Sequence, residues 1–191
     1  MRLYFNKPSP YARKVRVVVH EKQLADRIEW HEVDPWADPA GLHAATPIGK
    51  VPALVTDDGT LLTESPTIAE YLDSVGSGPP LVTGNRFEVL SRAALAQGLI
   101  DAAFGSVIER RRPAGRQWDD WLARLRRAID RTLPRLQVKD GRFDLGDIST
   151  ACALAYLDFR LPEIAWRPSH PGLAAWLDEV NRHPSMAATK A

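Results

Sequence analysis

The chain reads as an α/β domain followed by an all-helical one, on three observations. Up to residue 75, short strand-like runs interleave with helical periods in the order βαβ(α)ββα. A Gly/Pro-rich stretch, GSGPPLVTG at residues 76–84, then breaks the pattern. Beyond it every periodic segment is helical. The boundary is expected near residue 80, giving domains of residues 1–78 and 85–191.

The elements follow in order. RLYF, from Arg2 to Phe5, is a short strand. A helix runs from Pro10 to about Gln23, with Val15, Val18 and Val19 on or near one face. Ile28 to Val33 alternates as a second strand, and a loop with Pro35, Pro39 and Pro47 holds a short helix around Gly41 to Ala45. Ala53 to Thr56 and Thr60 to Leu62 flank Asp57-Asp58-Gly59, a hairpin signal. A helix from Pro66 to about Val75 closes the half.

In the second half Asn85 caps a long helix running towards Arg112. Another begins near Arg116, with Trp118, Trp121, Leu122, Leu125 and Ile129 on one stripe, and Pro134 kinks or ends it. Ser149 or Thr150 opens a third through ACALAYLDFRL, and Pro171 a fourth through LAAWLDEVN.

Composition narrows the function. The formal net charge is +1, so no global field argues for nucleic acid or membrane. The run Arg110-Arg111-Arg112, just before Pro113, reads as the basic end of a helix. No apolar leader or membrane-length segment is visible, so a cytoplasmic protein is expected. Cys152 is the sole cysteine, which excludes an internal disulfide and a Cys-rich metal site; its apolar setting reads as a small buried hydrophobe. The five histidines lack metal-ligand spacing, and His170 and His183, each before proline, read as turn residues.

Chemistry concentrates in two Ser-Pro pairs, Ser9-Pro10 in KPSPYARKVRVVV and Ser65-Pro66 in ESPTIAEYL. A serine oxygen accepts from a free first-turn N–H, and proline suits the first helical position, where its missing N–H costs nothing. Two such openings give two positively polarised helix ends, an anion site if the fold brings them together.

SPYARKVR, the run PIGKVPALVTDDGTLLTESPTIAEYL and the closing RHPSMAAT resemble the cytosolic glutathione S-transferase family, in order and over nearly the whole chain. The resemblance is to a bacterial, serine-type-like branch. It implies a thioredoxin-like first domain and the family's helical second domain. It also implies glutathione as co-substrate, no metal, and a homodimer without nucleic-acid or membrane partners.

Residue by residue, Ser9 would donate a hydrogen bond to the glutathione sulfur. A thiol with pKa about 8.5 is about 3 % thiolate at pH 7, and lowering it by about two units gives about 75 %. That needs roughly 2.7 kcal/mol, within reach of a charge-assisted hydrogen bond plus a helix end. A purely capping role for Ser9 is the alternative; Tyr4 and Tyr11 do not occupy the position the tyrosine-type enzymes use. A cis Val51-Pro52 bond would turn the Val51 backbone towards a bound peptide, which would pair as an added strand; a plain turn proline is the alternative. Ser65, read as a helix cap, would hold the γ-glutamyl carboxylate and Glu64 its ammonium; a solvated Glu64 beside a plain cap is the alternative. Lys50 would face a second carboxylate, though alone it reads as a surface lysine.

Asp101 resembles an acid that in relatives reaches the partner subunit's glutathione, with an interhelix salt bridge as the alternative. The electrophile pocket is expected from Pro8, Tyr11, Phe104 and Ile108. At Ser149-Thr150-Ala151-Cys152, the cysteine replaces the acid of a capping box, which predicts a weaker helix start. Ser-Ser or a catalytic cysteine at position 9 would mark isomerase-type or reductase-type relatives, and neither is present. The leading function is conjugation of glutathione to a small apolar electrophile. The rivals are a non-catalytic interaction protein on the same scaffold, and glutathione-dependent disulfide reduction.

Overall fold

The computed structural model describes residues 1–190 and divides into two compact units, residues 1–81 with 183–190, and Val82–Arg182. The first unit carries β1 (Arg2–Phe5), α1 (Pro10–Glu21), β2 (Glu29–Glu32), α2 (Ala40–Ala45), β3 (Ala53–Val55), β4 (Leu61–Thr63) and α3 (Ser65–Val75). Its four-stranded sheet has the order β2-β1-β3-β4. β1 runs parallel to β2 and antiparallel to β3, and β4 closes the hairpin against β3.

Strand alternation sorts the core onto two faces. Tyr4, Ala53 and Val55 cluster with Leu42 of α2. Leu3 and Leu54, paired at the intervening positions, are fully buried on the opposite side. α1 packs against α3, burying Val15, Val18, Ile68 and Leu72. α1 stops at Glu21, short of the expected Gln23, because Gln23 takes a left-handed φ of 55°. The hairpin turn at Asp57-Asp58-Gly59 closes through Thr56 and Thr60, with Gly59 at φ 85° and the Asp58 carboxylate accepting the Thr60 N–H at 3.1 Å.

The connector is tied to the first unit. Buried Lys22 donates to the carbonyls of Gly78 and Pro79 at 2.6 and 2.9 Å and pairs with Asp73 at 3.0 Å. Asp73 in turn accepts the Leu81 N–H at 2.9 Å, and the unit boundary falls directly after this residue.

The second unit holds α4 (Arg86–Arg110), α5 (Asp119–Thr132), α6 (Leu145–Arg160), α7 (Trp166–Ser169) and α8 (Pro171–Val180). Asn85 caps α4, its side chain accepting from the N–H groups of Phe87 and Glu88. α4 packs chiefly on α6 and α5, and its buried Ala96, Ala102, Ala103 and Ser106 permit close approach. Trp118 is no part of the α5 stripe: it precedes the helix, is largely exposed, and stacks on Trp121 with ring centres 6.1 Å apart.

Three expectations differ from the structure. α6 begins at Leu145, a turn before Ser149 and Thr150, whose hydroxyls donate back to the carbonyls of Leu145 and Gly146 inside the helix. The capping box is Asp144 with Asp147, so Cys152 replaces no cap and the helix start is not weakened. Residues 183–190, expected in the helical domain, belong to the first unit, where α9 (Pro184–Ala188) packs on α1. His170 and His183 precede prolines that open helices, α8 and α9.

Candidate functional site

Strand register gathers the predicted residues of the first unit. Tyr4 pairs with Ala53, and Ala53 with Thr63, so three neighbouring strands share one level of the sheet. From that end β1 exits towards Pro8 and Ser9, Val51-Pro52 enters β3, and β4 exits into Glu64 and Ser65. β2, parallel to β1, ends on the same side, and its Glu32 pairs with Lys7 at 2.8 Å.

Ser9 is the N-cap of α1. Its Oγ accepts the Ala12 N–H at 3.2 Å, its own N–H donates to the Asn6 carbonyl at 3.1 Å, and its carbonyl receives the Arg13 N–H at 2.9 Å. Asn6 is fixed in turn by donating to the Val33 carbonyl at 2.9 Å. A hydroxyl engaged as an acceptor keeps its proton to donate elsewhere, and Ser9 is only half-buried. Pro8 and Tyr11, on either side, are half-buried too.

The Val51–Pro52 peptide bond is cis. Lys50, just before it, is exposed. The second helix opening differs from the expectation: the N-cap of α3 is Glu64, and Ser65 is the first helical residue, 2 % exposed. Glu64 makes no side-chain cap bond and takes φ 65°, ψ 121°. Left-handed backbone at a residue other than glycine costs about 1–2 kcal/mol, and such strain concentrates at functional sites. Here it leaves the Glu64 carboxylate exposed beside the positive end of α3.

Asp101, Phe104 and Ile108 lie on α4 in the second unit. Asp101 is exposed and accepts from Gln97 Nε2 at 3.1 Å; Phe104 and Ile108, one turn apart, are half-buried. Among the described residues no three or more His, Cys, Asp or Glu side chains are grouped as a metal ion would need.

Sequence reading missed the buried ionic lattice at the start of α6. Arg92 of α4 bonds Asp144, and reaches Asp147 at 3.2 Å; Arg142 adds bonds to Asp147 at 2.9 and 3.1 Å. Burial pushes the Asp144 carboxyl up, but hydrogen bonds from Arg92 and the Asp147 N–H outweigh it and hold it below the usual range. At Asp147 burial prevails and holds the carboxyl above it. Gly146 is required: a Cβ there would stand 2.6 Å from the Arg92 guanidinium. The signal was available as Asp144-x-x-Asp147, an N-cap acid three residues ahead of a second acid.

Known proteins resemble this chain in both units. The glutathione S-transferase N-terminal domain model matches residues 8–75, and the C-terminal domain model residues 119–179. The uncharacterized GST-like protein YibF of Escherichia coli K12 is 33 % identical, covering 100 % of this chain and 98 % of its own. A glutathione transferase family member from Pseudomonas fluorescens Pf-5, crystallised with bound glutathione, is 41 % identical over 99 % of this chain and 98 % of its own, with a TM-score of 0.92. A glutathione S-transferase of Methylobacterium radiotolerans JCM 2831, in complex with glutathione sulfonate, is 33 % identical over 100 % of this chain and 95 % of its own, with a TM-score of 0.90. The chain belongs to the glutathione S-transferase family.

Proposed function

We propose that the first unit binds glutathione and that Ser9 stabilises its thiolate for attack on a small apolar electrophile. The observation that carries this reading is the register that sets Ser9, Val51-Pro52 and Glu64-Ser65 at one end of the sheet. The Val51 backbone pairs with the peptide, Glu64 with the γ-glutamyl ammonium, and the first-turn N–H groups of α3 with its carboxylate. Lys50 takes the far carboxylate. Ser9, already accepting from the Ala12 N–H, donates a hydrogen bond from its hydroxyl to the thiolate sulfur, and the N-terminus of α1 adds its positive field. The relatives crystallised with glutathione and glutathione sulfonate support the ligand.

The wider assignment has Pro8 and Tyr11, on either side of Ser9, receive the electrophile. It also has the chain work as a homodimer, with Asp101 serving the glutathione of the partner subunit. Sedimentation as a monomer at micromolar concentration removes the shared site and returns Asp101 to its bond with Gln97.

The deciding experiment is thiolate absorbance of the glutathione complex across pH. The wild-type thiol should titrate about two units below free glutathione, and Ser9→Ala should return it by about one to two units. Identical titrations leave Ser9 as a cap alone. A wild-type thiol pKa equal to that of free glutathione favours a non-catalytic scaffold instead.

A further inference from the structure

α1, which presents Ser9, is held by the end of the chain through two buried arginines. Arg13 Nη2 donates to the Met186 carbonyl at 3.2 Å, and Arg16 Nη1 to the Thr189 carbonyl at 3.3 Å. Both arginines are 8 % exposed; Met186 and Thr189 are fully buried. The acceptors lie at the C-terminal end of α9, where carbonyls lack helical partners and favour cations. Thr189 Oγ1 tightens the same turn by donating to the Ser185 carbonyl at 2.8 Å.

The Arg13 tie is costly. Among the described residues its Nε has no partner, and a neutral carbonyl is the only group its guanidinium bonds. An apolar side chain would fill the same space without burying a charge. What it could not supply is a directed bond that fixes α1 along its own axis against α9. The Arg13 N–H closes the first helical bond onto the Ser9 carbonyl, so any shift at Arg13 is passed directly to the catalytic hydroxyl.

We propose that residues 183–190 form a clasp on α1 that sets the position of Ser9, with Arg13 and Arg16 as positioning residues. The inference rests on the role given to Ser9 above. A hydroxyl displaced by about 1 Å donates a weaker bond to sulfur while the γ-glutamyl contacts are untouched. Loosening the clasp therefore acts on turnover and not on glutathione affinity.

Two full-length variants loosen the clasp from opposite sides: Arg13→Met removes the guanidinium that bonds the Met186 carbonyl, and Met186→Ala keeps that carbonyl but removes a fully buried side chain of α9. Hydrogen exchange of the Ala12 amide reads the clasp, and thiol pKa with kinetics reads its consequence. In both variants the Ala12 amide should exchange about tenfold faster relative to amides within α3. The thiol pKa should rise by about half to one unit, and kcat should fall about threefold to tenfold with KM for glutathione unchanged. Unchanged Ala12 exchange in folded variants overturns the clasp. Faster exchange with an unmoved thiol pKa makes it structural only and overturns the proposal. A wild-type thiol that is not acidified overturns the role of Ser9 itself, a distinct result.

Discussion

The openings of α1 and α3 in the first unit and of α6 in the second are built in opposite ways. In the first, α1 starts at a half-buried Ser9 and α3 at an exposed, left-handed Glu64. In the second, α6 starts at Asp144, whose carboxylate, with that of Asp147, is enclosed by Arg92 and Arg142. The openings of the first unit keep donors, a carboxylate and strain near the surface. The opening of α6 turns both carboxylates onto Arg92 and Arg142 and holds neither out at the surface, although the buried Arg92 Nε has no partner among the described residues. On the proposed function, the same helix-start physics serves binding where carboxylate and donors stay near the surface and cohesion where the carboxylates are enclosed.

The largest expected effect tests the enclosed opening. Asp147→Asn leaves two guanidiniums short of a buried carboxylate, and removing one partner of such a lattice costs about 3–5 kcal/mol. Denaturant unfolding should show this loss, while glutathione affinity of the folded protein stays as in wild type. A loss near zero would mean that the lattice repacks around the amide, and the contrast between the units would fail on that side.

Next comes the exposed carboxylate. Glu64→Gln keeps shape and backbone but removes the charge offered to the ligand ammonium, so affinity should fall by about 1.5–3 kcal/mol. Calorimetry giving the wild-type affinity with the fold intact would remove Glu64 from the site.

How much of this was legible follows from the range of each interaction. Ser9-Pro10, Asp57-Asp58-Gly59 and Asn85 announce themselves because cap and turn bonds join residues two to four apart. The choice between Glu64 and Ser65 as cap of α3 was misread, because a left-handed φ at glutamate has no local signature. The start of α6 was placed late because serine and threonine were preferred as caps over an Asp-x-x-Asp pair lying nearer the polar loop. The lattice partner Arg92 lies 52 residues from Asp144 and the clasp joins residues 173 apart. No spacing rule carries such distances.

Ser9→Ala separates the two uses of one opening. Turnover with a generic electrophile should drop about tenfold to a hundredfold, the kinetic image of a thiol pKa rise of about one to two units. Stability should fall by only a cap's worth, about 1 kcal/mol. A stability loss as large as that of Asp147→Asn would show that the first unit leans on its opening as heavily as the second.

The smallest expected effect is the most discriminating. Glu64 holds φ 65°, a conformation that glycine adopts without the Cβ penalty of about 1–2 kcal/mol. Glu64→Gly relieves that strain in the folded state but adds flexibility to the unfolded chain, worth about 0.4–1 kcal/mol in the other direction. The two nearly cancel, so the unfolding free energy should move by less than about 1 kcal/mol, towards stability if at all. Affinity for glutathione should nonetheless drop as far as in Glu64→Gln, since both lose the carboxylate. Parallel unfolding and calorimetry on the two variants check this. A clear loss of stability in the glycine variant would show that the Glu64 side chain supports the fold of the first unit. Its left-handed backbone would then be the cost of that support, and the carboxylate could no longer be read as held out for a ligand.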